Sequence, residues 1–295
     1  MKKNWTRGLL AVGLIAAAGF GLAGCEEEKK PELAPAATDL KASAPKAPDA
    51  VKLAIEKASS KVEFMMEAPQ EKIRGRVSGT TEGEIQVDPS DLTKTTGLIT
   101  VDIAGIELFQ AVASDDGKFG EEKKSDLQNE HARTWLEISP DAPADVRAKN
   151  AKTQFAIRKI EVTGERNLMK LTGPERKVML KATGEFLLHQ RASEKTAELE
   201  ATFKFEGDKP VGVRVKTVKP FTIGLAEHEV HPRESFGKLA QKTLELLAPK
   251  VAKEAFVSLE FSATPGMAGP GAMGGKPAEA PAAPGTAMPA KDAPK

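Results

Sequence analysis

One cysteine, Cys25, and no tyrosine occur in 295 residues, and aromatic side chains make up 5% of the chain. With a single thiol, a disulfide framework, a cysteine-based zinc site and a cysteine nucleophile are all excluded. Charge of one sign is missing too: 43 Lys and Arg stand against 42 Asp and Glu, a formal net of +1, and no basic stripe is interleaved with aromatics. That leaves out the electrostatic footprint of a nucleic-acid binder, and no nucleic-acid partner is expected. There is no Gly-x-Ser-x-Gly elbow, no phosphate-cradling glycine loop and no His-Glu-x-x-His pair. Without a nucleophile, a cofactor loop or an acid–base pair, the chain does not read as an enzyme. What is present is 40% hydrophobic and 29% charged, as in a folded protein. The 20 Pro and 25 Gly gather toward the two ends, so the folded part is shorter than the chain.

The first 25 residues speak for a compartment. Lys2, Lys3 and Arg7 form a basic opening, and Gly8 to Gly21 form an apolar stretch shorter than a membrane span. Leu22-Ala23-Gly24-Cys25 then closes the stretch with small residues and the cysteine. The arrangement resembles a bacterial lipoprotein signal with its lipobox, which implies a leader over residues 1–24 and lipid attachment at Cys25. Loss of the leader leaves 40 basic against 42 acidic side chains, a net of −2. Glu26 differs from the aspartate that resembles an inner-membrane retention signal, so a periplasm-facing protein on the outer membrane is favoured. Residues 25–58, rich in Ala, Pro, Lys and Glu, read as a flexible tether, and residues 264–295 as a disordered Ala/Pro/Gly-rich tail.

Between them, residues 59–263 alternate with a period of two, the pattern of strands with one buried face. Val178, Leu180, Ala182, Gly184, Phe186 and Leu188 share one face, and Ala197, Leu199, Ala201, Phe203 and Phe205 another. Ala192-Ser193-Glu194 is of hairpin length, which predicts that the two runs pair. Shorter sets follow the same rule around Phe64, Ile73, Ile85, Ile99, Phe155, Val213 and Val257, with a one-residue phase shift between Ile157 and Ile160 that predicts a bulge and a break at Pro220. About eight or nine such runs predict an all-β antiparallel barrel or sandwich. Inward Gly75, Gly83, Ala182, Gly184, Ala197 and Ala201 are small and would leave room at the axis or let strands bend around a barrel. Two stretches have helical spacing instead, Glu121 to Ile138 and Glu234 to Leu247, and read as helices packed on the barrel.

The strand series resembles a known family. Lys61-Val62-Glu63-Phe64, Ile73-Arg74-Gly75-Arg76-Val77, Gly83-Glu84-Ile85-Gln86-Val87-Asp88-Pro89 and Ile99-Thr100-Val101-Asp102-Ile103 look like the opening strands of a YceI-like domain. Leu180 to Leu188 and Ala255 to Phe261 are similar to its later strands. The resemblance spans residues 59–263 and implies an extended lipocalin-like barrel in the bacterial periplasm. It also implies a long central cavity holding a polyisoprenoid or a quinone side chain, and no other cofactor. The family's Arg-Asp-x-x-Leu element has a looser counterpart here, Arg133-Thr134-Trp135-Leu136.

The expected cavity-lining residues are Phe64, Ile99, Val101, Phe155, Ile157, Phe186, Leu188, Phe203 and Phe205. Alternation reports the buried face and leaves open whether these side chains surround a ligand or fill the barrel themselves. His228 and His231, within Glu227-His228-Glu229-Val230-His231, have the nearest spacing to a metal site, and no metal is expected there. His131 and His189 fall on polar faces and read as surface histidines. The sequence thus predicts a membrane-anchored barrel binding an apolar lipid as carrier or reservoir, against the alternative of a ligand-free envelope scaffold or protein-interaction module whose protein partner the sequence does not specify.

Overall fold

A computed structural model describes residues 32–232 and 252–266. The leader, Cys25, the second helical stretch and nearly all of the C-terminal tail lie outside them.

The described strands form one antiparallel sheet. In chain order they are β1 (Val51–Ile55), β2 (Lys61–Ala68), β3 (Glu71–Ser78), β4 (Thr81–Val87), β5 (Thr96–Asp102), β6 (Glu107–Val112), β7 (Lys123–Lys124), β8 (Lys152–Thr163), β9 (Glu175–Leu188), β10 (Arg191–Glu206), β11 (Lys209–Lys219), β12 (Phe221–Gly224) and β13 (Glu254–Pro265). Several of these are halves of one bent stave. β1 pairs with β4 and β2 with β3 in nearly continuous register, interrupted by a 3-10 turn at Lys57–Ser59 and by Gly79 at φ 69°. β5 pairs with β4 and β6 with β3, so the third stave is split in the same place. β11 and β12 are divided at Pro220, where the missing N–H ends the ladder. Staves β1–β4–β5–β8–β9–β10–β11–β13 then close as β13 returns to β1, giving a closed antiparallel barrel of eight strands.

The phase shift between Ile157 and Ile160 is a bulge, with the β8–β9 register slipping between Ile157 and Lys159. The β9–β10 turn is tighter than expected. Leu188 pairs with Arg191, while Ala192, Ser193 and Glu194 lie within the ladder opposite Leu187, Phe186 and Glu185. The two turn residues, His189 and Gln190, have φ of 49° and 58°. A two-residue turn of this kind usually advertises itself with glycine or asparagine. Here side-chain bonds offset the left-handed backbone: His189 to Glu137 at 3.0 Å, and Gln190 Nε2 donating to Asn150 Oδ1 at 2.8 Å.

The expected tether is ordered well before residue 58. From Leu33 the chain runs along the barrel as a strap. Ala34 N–H donates to the Glu227 carbonyl, Ala37 N–H to Gln190, and Ala192 N–H donates back to Pro35, each at 2.9 Å. Leu40 is buried against Ala156 and Leu187, with its N–H on Gln154 Oε1 at 2.7 Å. Val51–Ile55 is then a barrel strand, so the domain begins earlier than residue 59, and at the other end β13 continues to Pro265. Low side-chain bulk suggested a solvated linker, yet small Ala and Pro side chains also let a strand lie flat on a sheet, and Leu40 supplies the anchor.

The first helical stretch is shorter than its sequence pattern. Helix α1 covers Asp126–Trp135, opened by Ser125, whose hydroxyl accepts from Gln128 N–H at 3.3 Å. Leu136 and Ile138 beyond it are buried, whereas Leu127 is 60% exposed. Helix α2 follows at Ala144–Asn150 and leads into β8. Together they occupy the wall where β6 has no β8 beside it.

The two barrel ends differ. At the loop end, the segments 88–95 and 164–174 are zipped by Leu92 N–H to the Arg166 carbonyl (3.0 Å) and Leu168 N–H to the Pro89 carbonyl (2.8 Å), and both leucines are fully buried. Arg176 stacks its guanidinium 3.7 Å from the Phe205 ring centroid there and donates to the Leu168 carbonyl. That end is sealed. The hairpin end carries the turns after Ala68 and Leu188 and the 3-10 turn Ala226–His228.

Candidate ligand site: two apolar chambers

The inward side chains leave two small chambers arranged end to end. One, of about 90 Å³, lies toward the sealed end between Ile85, Ile99, Ile157, Ala182, Ala201 and Leu259. The other, of about 120 Å³, lies toward the hairpin end between Val62, Phe64, Met66, Trp135, Leu188 and Val230. Phe221 lines the first and Phe186 the second, and the two rings meet edge to face across 6.1 Å. That aromatic pair is the partition.

Of the nine residues expected to line a cavity, Ile99, Phe155, Ile157 and Phe203 face the first chamber and Phe64, Phe186 and Leu188 the second. Val101 and Phe205 are buried but line neither: Val101 packs in the hairpin-end core, and Phe205 is taken up by Arg176. Small inward residues divide in the same way. Ala182, Ala197 and Ala201 do open the first chamber. Gly75 makes room for a neighbour instead, because a Cβ there would stand 2.0 Å from Phe64 Cζ. Gly184 leaves no space at all, since its Cβ would meet the Ala156 carbonyl oxygen at 2.2 Å. Trp135, Leu136 and Val230 lie on a helix and turns, outside any period-two pattern, so strand alternation could not find them.

The chamber walls are hydrocarbon. Thr95, Thr217 and Thr153 are the polar lining residues. Thr217 exchanges bonds with the Leu259 backbone, accepting its N–H at 2.9 Å and donating to its carbonyl at 3.2 Å. The Thr95 and Thr153 hydroxyls are buried in the wall. No charged or amide group faces either space, so what fits there is an apolar chain rather than a polar head group. Val62, Phe64, Met66 and Leu188 face inward yet are only half-buried, because the second chamber leaves part of their surface uncovered.

Beside the partition, β10 and β12 part and a polar cluster fills the slot. Ser193 and Lys195 share the inward face of β10 with Ala197, and both meet Glu227: Lys195 as an ion pair and Ser193 through its hydroxyl at 3.0 Å. His228 is fully buried, with Nδ1 on the Arg191 carbonyl at 3.0 Å, Nε2 3.2 Å from Ser193 Oγ, and its ring edge-to-face with Phe186 at 5.6 Å. Burial holds the His228 pKa below its ordinary value, against the pull of Glu227. Burial pushes the Glu227 pKa upward, but hydrogen bonds from Lys195 and Ser193 outweigh it and leave the carboxyl below its usual range. The cluster does not have catalytic-triad geometry: Glu227 Oε1 lies 3.0 Å from Nε2, on the same side as Ser193, while Nδ1 faces backbone carbonyls.

His228 and His231 do not form a metal pair, since His231 is exposed and bonds the Pro232 carbonyl at 3.2 Å. Among the described residues no three metal-ligating side chains gather. His189, expected at the surface, is 5% exposed and bridges Glu137 and the His228 carbonyl, because the tight turn folds its ring inward. His131 is exposed and stacks on Trp135 at 6.0 Å.

No protein-family model matches the chain, and no curated protein is similar to it. Among solved structures it is similar to a polyisoprenoid-binding domain from Saccharophagus degradans implicated in plant cell wall breakdown. The two share 12% identity with a TM-score of 0.43, over 73% of this chain and 99% of that one.

Proposed function

We propose that this protein is a lipid-anchored, periplasm-facing binding protein, held through Cys25, that takes the hydrocarbon part of a polyisoprenoid or quinone-like lipid into its barrel as carrier or reservoir. The observation that carries the reading is the pair of chambers with walls made almost wholly of alkyl and aromatic side chains. Both chambers are smaller than the ~150 Å³ dry apolar cavity that binds benzene, so neither holds more than one small branched unit without widening. A longer chain must displace the Phe186–Phe221 partition and join the two. Burying apolar ligand surface is worth roughly 2.5 kcal/mol per 100 Å², which several such units multiply before binding costs. The same walls, alkyl and aromatic apart from three threonines, support binding of an apolar chain.

The second reading is a filled barrel serving as an envelope scaffold. The small volume of the two chambers and the aromatic pair between them favour it among the described residues. Lipid extraction and mass spectrometry of the full chain isolated from bacterial envelopes separate the two. A stoichiometric isoprenoid, lost in Ala182→Phe and Ala201→Phe chains that remain folded, establishes the carrier. An empty wild-type barrel that also refuses added polyprenols and quinones establishes the scaffold.

A further inference from the structure

The strap and the exposed apolar side chains point the hairpin end of the barrel at one partner. Leu33, the first strap residue, is 46% exposed, and Ala34 is fixed to Glu227 beside the β9–β10 turn. From Cys25 to Leu33 a fully extended chain reaches no more than roughly 28 Å. If Cys25 carries the lipid, as proposed above, the strap starts within that distance of the bilayer surface, and it starts at the hairpin end.

Three exposed large apolar side chains belong to residues near the tip of the β2–β3 hairpin, while Met169, Met179, Val218 and Phe256 are exposed elsewhere on the barrel. Val112, opposite Glu71 in the ladder, is 56% exposed. Phe119, under the Lys72 ammonium at 4.9 Å, is 38% exposed. Leu127, at 60%, adjoins Gln128, whose amide donates to Glu71 at 3.2 Å. The same end holds the chamber whose inward side chains remain half-covered, and the opposite end is closed by Leu92, Leu168 and the Arg176–Phe205 stack.

We infer that the barrel sits hairpin end down on the lipid surface, with Val112, Phe119 and Leu127 entering the interfacial layer on one side of the rim and Leu33 on the other, so that the Phe64–Trp135 chamber faces the bilayer. The inference rests on the lipid-anchor reading and adds the orientation and the side from which a lipid enters. The docking is apolar rather than electrostatic, because the segment from Glu107 to Leu127 carries Glu107, Asp115, Asp116, Glu121, Glu122 and Asp126 against Lys118, Lys123 and Lys124. Anionic lipid should therefore weaken it, and salt should relieve that repulsion.

The test places a fluorophore on full-length Leu127→Cys or Met169→Cys protein, made with its own leader and reconstituted into phosphatidylethanolamine–phosphatidylglycerol vesicles carrying a doxyl-labelled quencher lipid. Met169 lies at the sealed end and is 41% exposed. Several-fold stronger quenching at position 127 than at 169, not weakened by high salt and reduced by Phe119→Glu, is the expected result. Equal quenching, or stronger quenching at 169, overturns the orientation, as does labelling of the unsubstituted chain, because that requires a free Cys25 thiol. Cargo is read separately by lipid extraction. A chain quenched at 127 but empty keeps the docking and loses the carrier, while a loaded chain quenched at 169 does the reverse.

Discussion

The rings of Phe186 and Phe221 stand 6.1 Å apart at 74°, one lining each of the two chambers. Such a pair contributes about 0.5–1.5 kcal/mol beyond burial. That is small enough for an incoming apolar chain to exceed. Phe221→Ala should join the chambers, raise the length of polyprenol retained, and cost about 1–3 kcal/mol of stability, since the ring is only half-buried. Urea unfolding read beside native mass spectrometry with a polyprenol ladder checks both parts. An unchanged length preference would show that the pair is no partition.

Gly75 and Phe64 form a second coupled pair, because a methyl at 75 would stand inside the Phe64 ring. Gly75→Ala is expected to destabilise by about 1–3 kcal/mol, and the penalty should shrink in a Phe64→Ala background. A double-mutant cycle in urea gives the coupling directly. Additive losses would mean that the ring is not what the methyl meets.

Neutral burial of His228 makes stability depend on pH in a known direction. Its folded pKa lies below the unfolded value near 6.5, so the unfolded chain takes up the proton first. The contribution is complete above about pH 6.5 and is lost as pH falls through that value toward the lower folded pKa. The depressed carboxyls of Glu227 and Asp88 act only at lower pH, below about 4.5. Melting temperature should therefore drop between about pH 7 and 5.5 in the wild type, and His228→Gln should flatten that interval. A drop of the same size in His228→Gln assigns it to another group.

Leu40 tests whether the strap belongs to the fold. It is 8% exposed and packs on Ala156 and Leu187. Leu40→Ala should cost about 2–3 kcal/mol, whereas a substitution in a free tether would cost almost nothing. Equilibrium unfolding of the full chain distinguishes the two.

The barrel was legible because alternation is a local signal: Val178 to Leu188 and Ala197 to Phe205 carry it over long runs, and the bulge after Ile157 left its own phase mark. What faces the buried side was not legible. Val101 and Phe205 have the same pattern as Ile99 and Phe203, yet Arg176 on a neighbouring stave claims Phe205. The turn at His189–Gln190 escaped because its left-handed residues are held by Glu137 and Asn150, partners distant in sequence. The strap escaped for a similar reason: its Ala and Pro residues look like a linker until Gln154 and Glu227 are placed beside them. His228 was visible as a histidine, but only the slot between β10 and β12 decides that it is buried and neutral.

β13 borders β11 and β12 on one edge and β1 and β2 on the other, so the ring has no closure until the last strand is in place. The Thr264 hydroxyl bonded to Glu56 joins positions separated by 208 in the chain. Assembly is governed by one late, long-range event, which places this barrel among slow folders. Until then two unpaired edges stand open to strands of other chains. A ribosome that stalls or a protease that clips before β13 would release a species with both edges open and prone to aggregate.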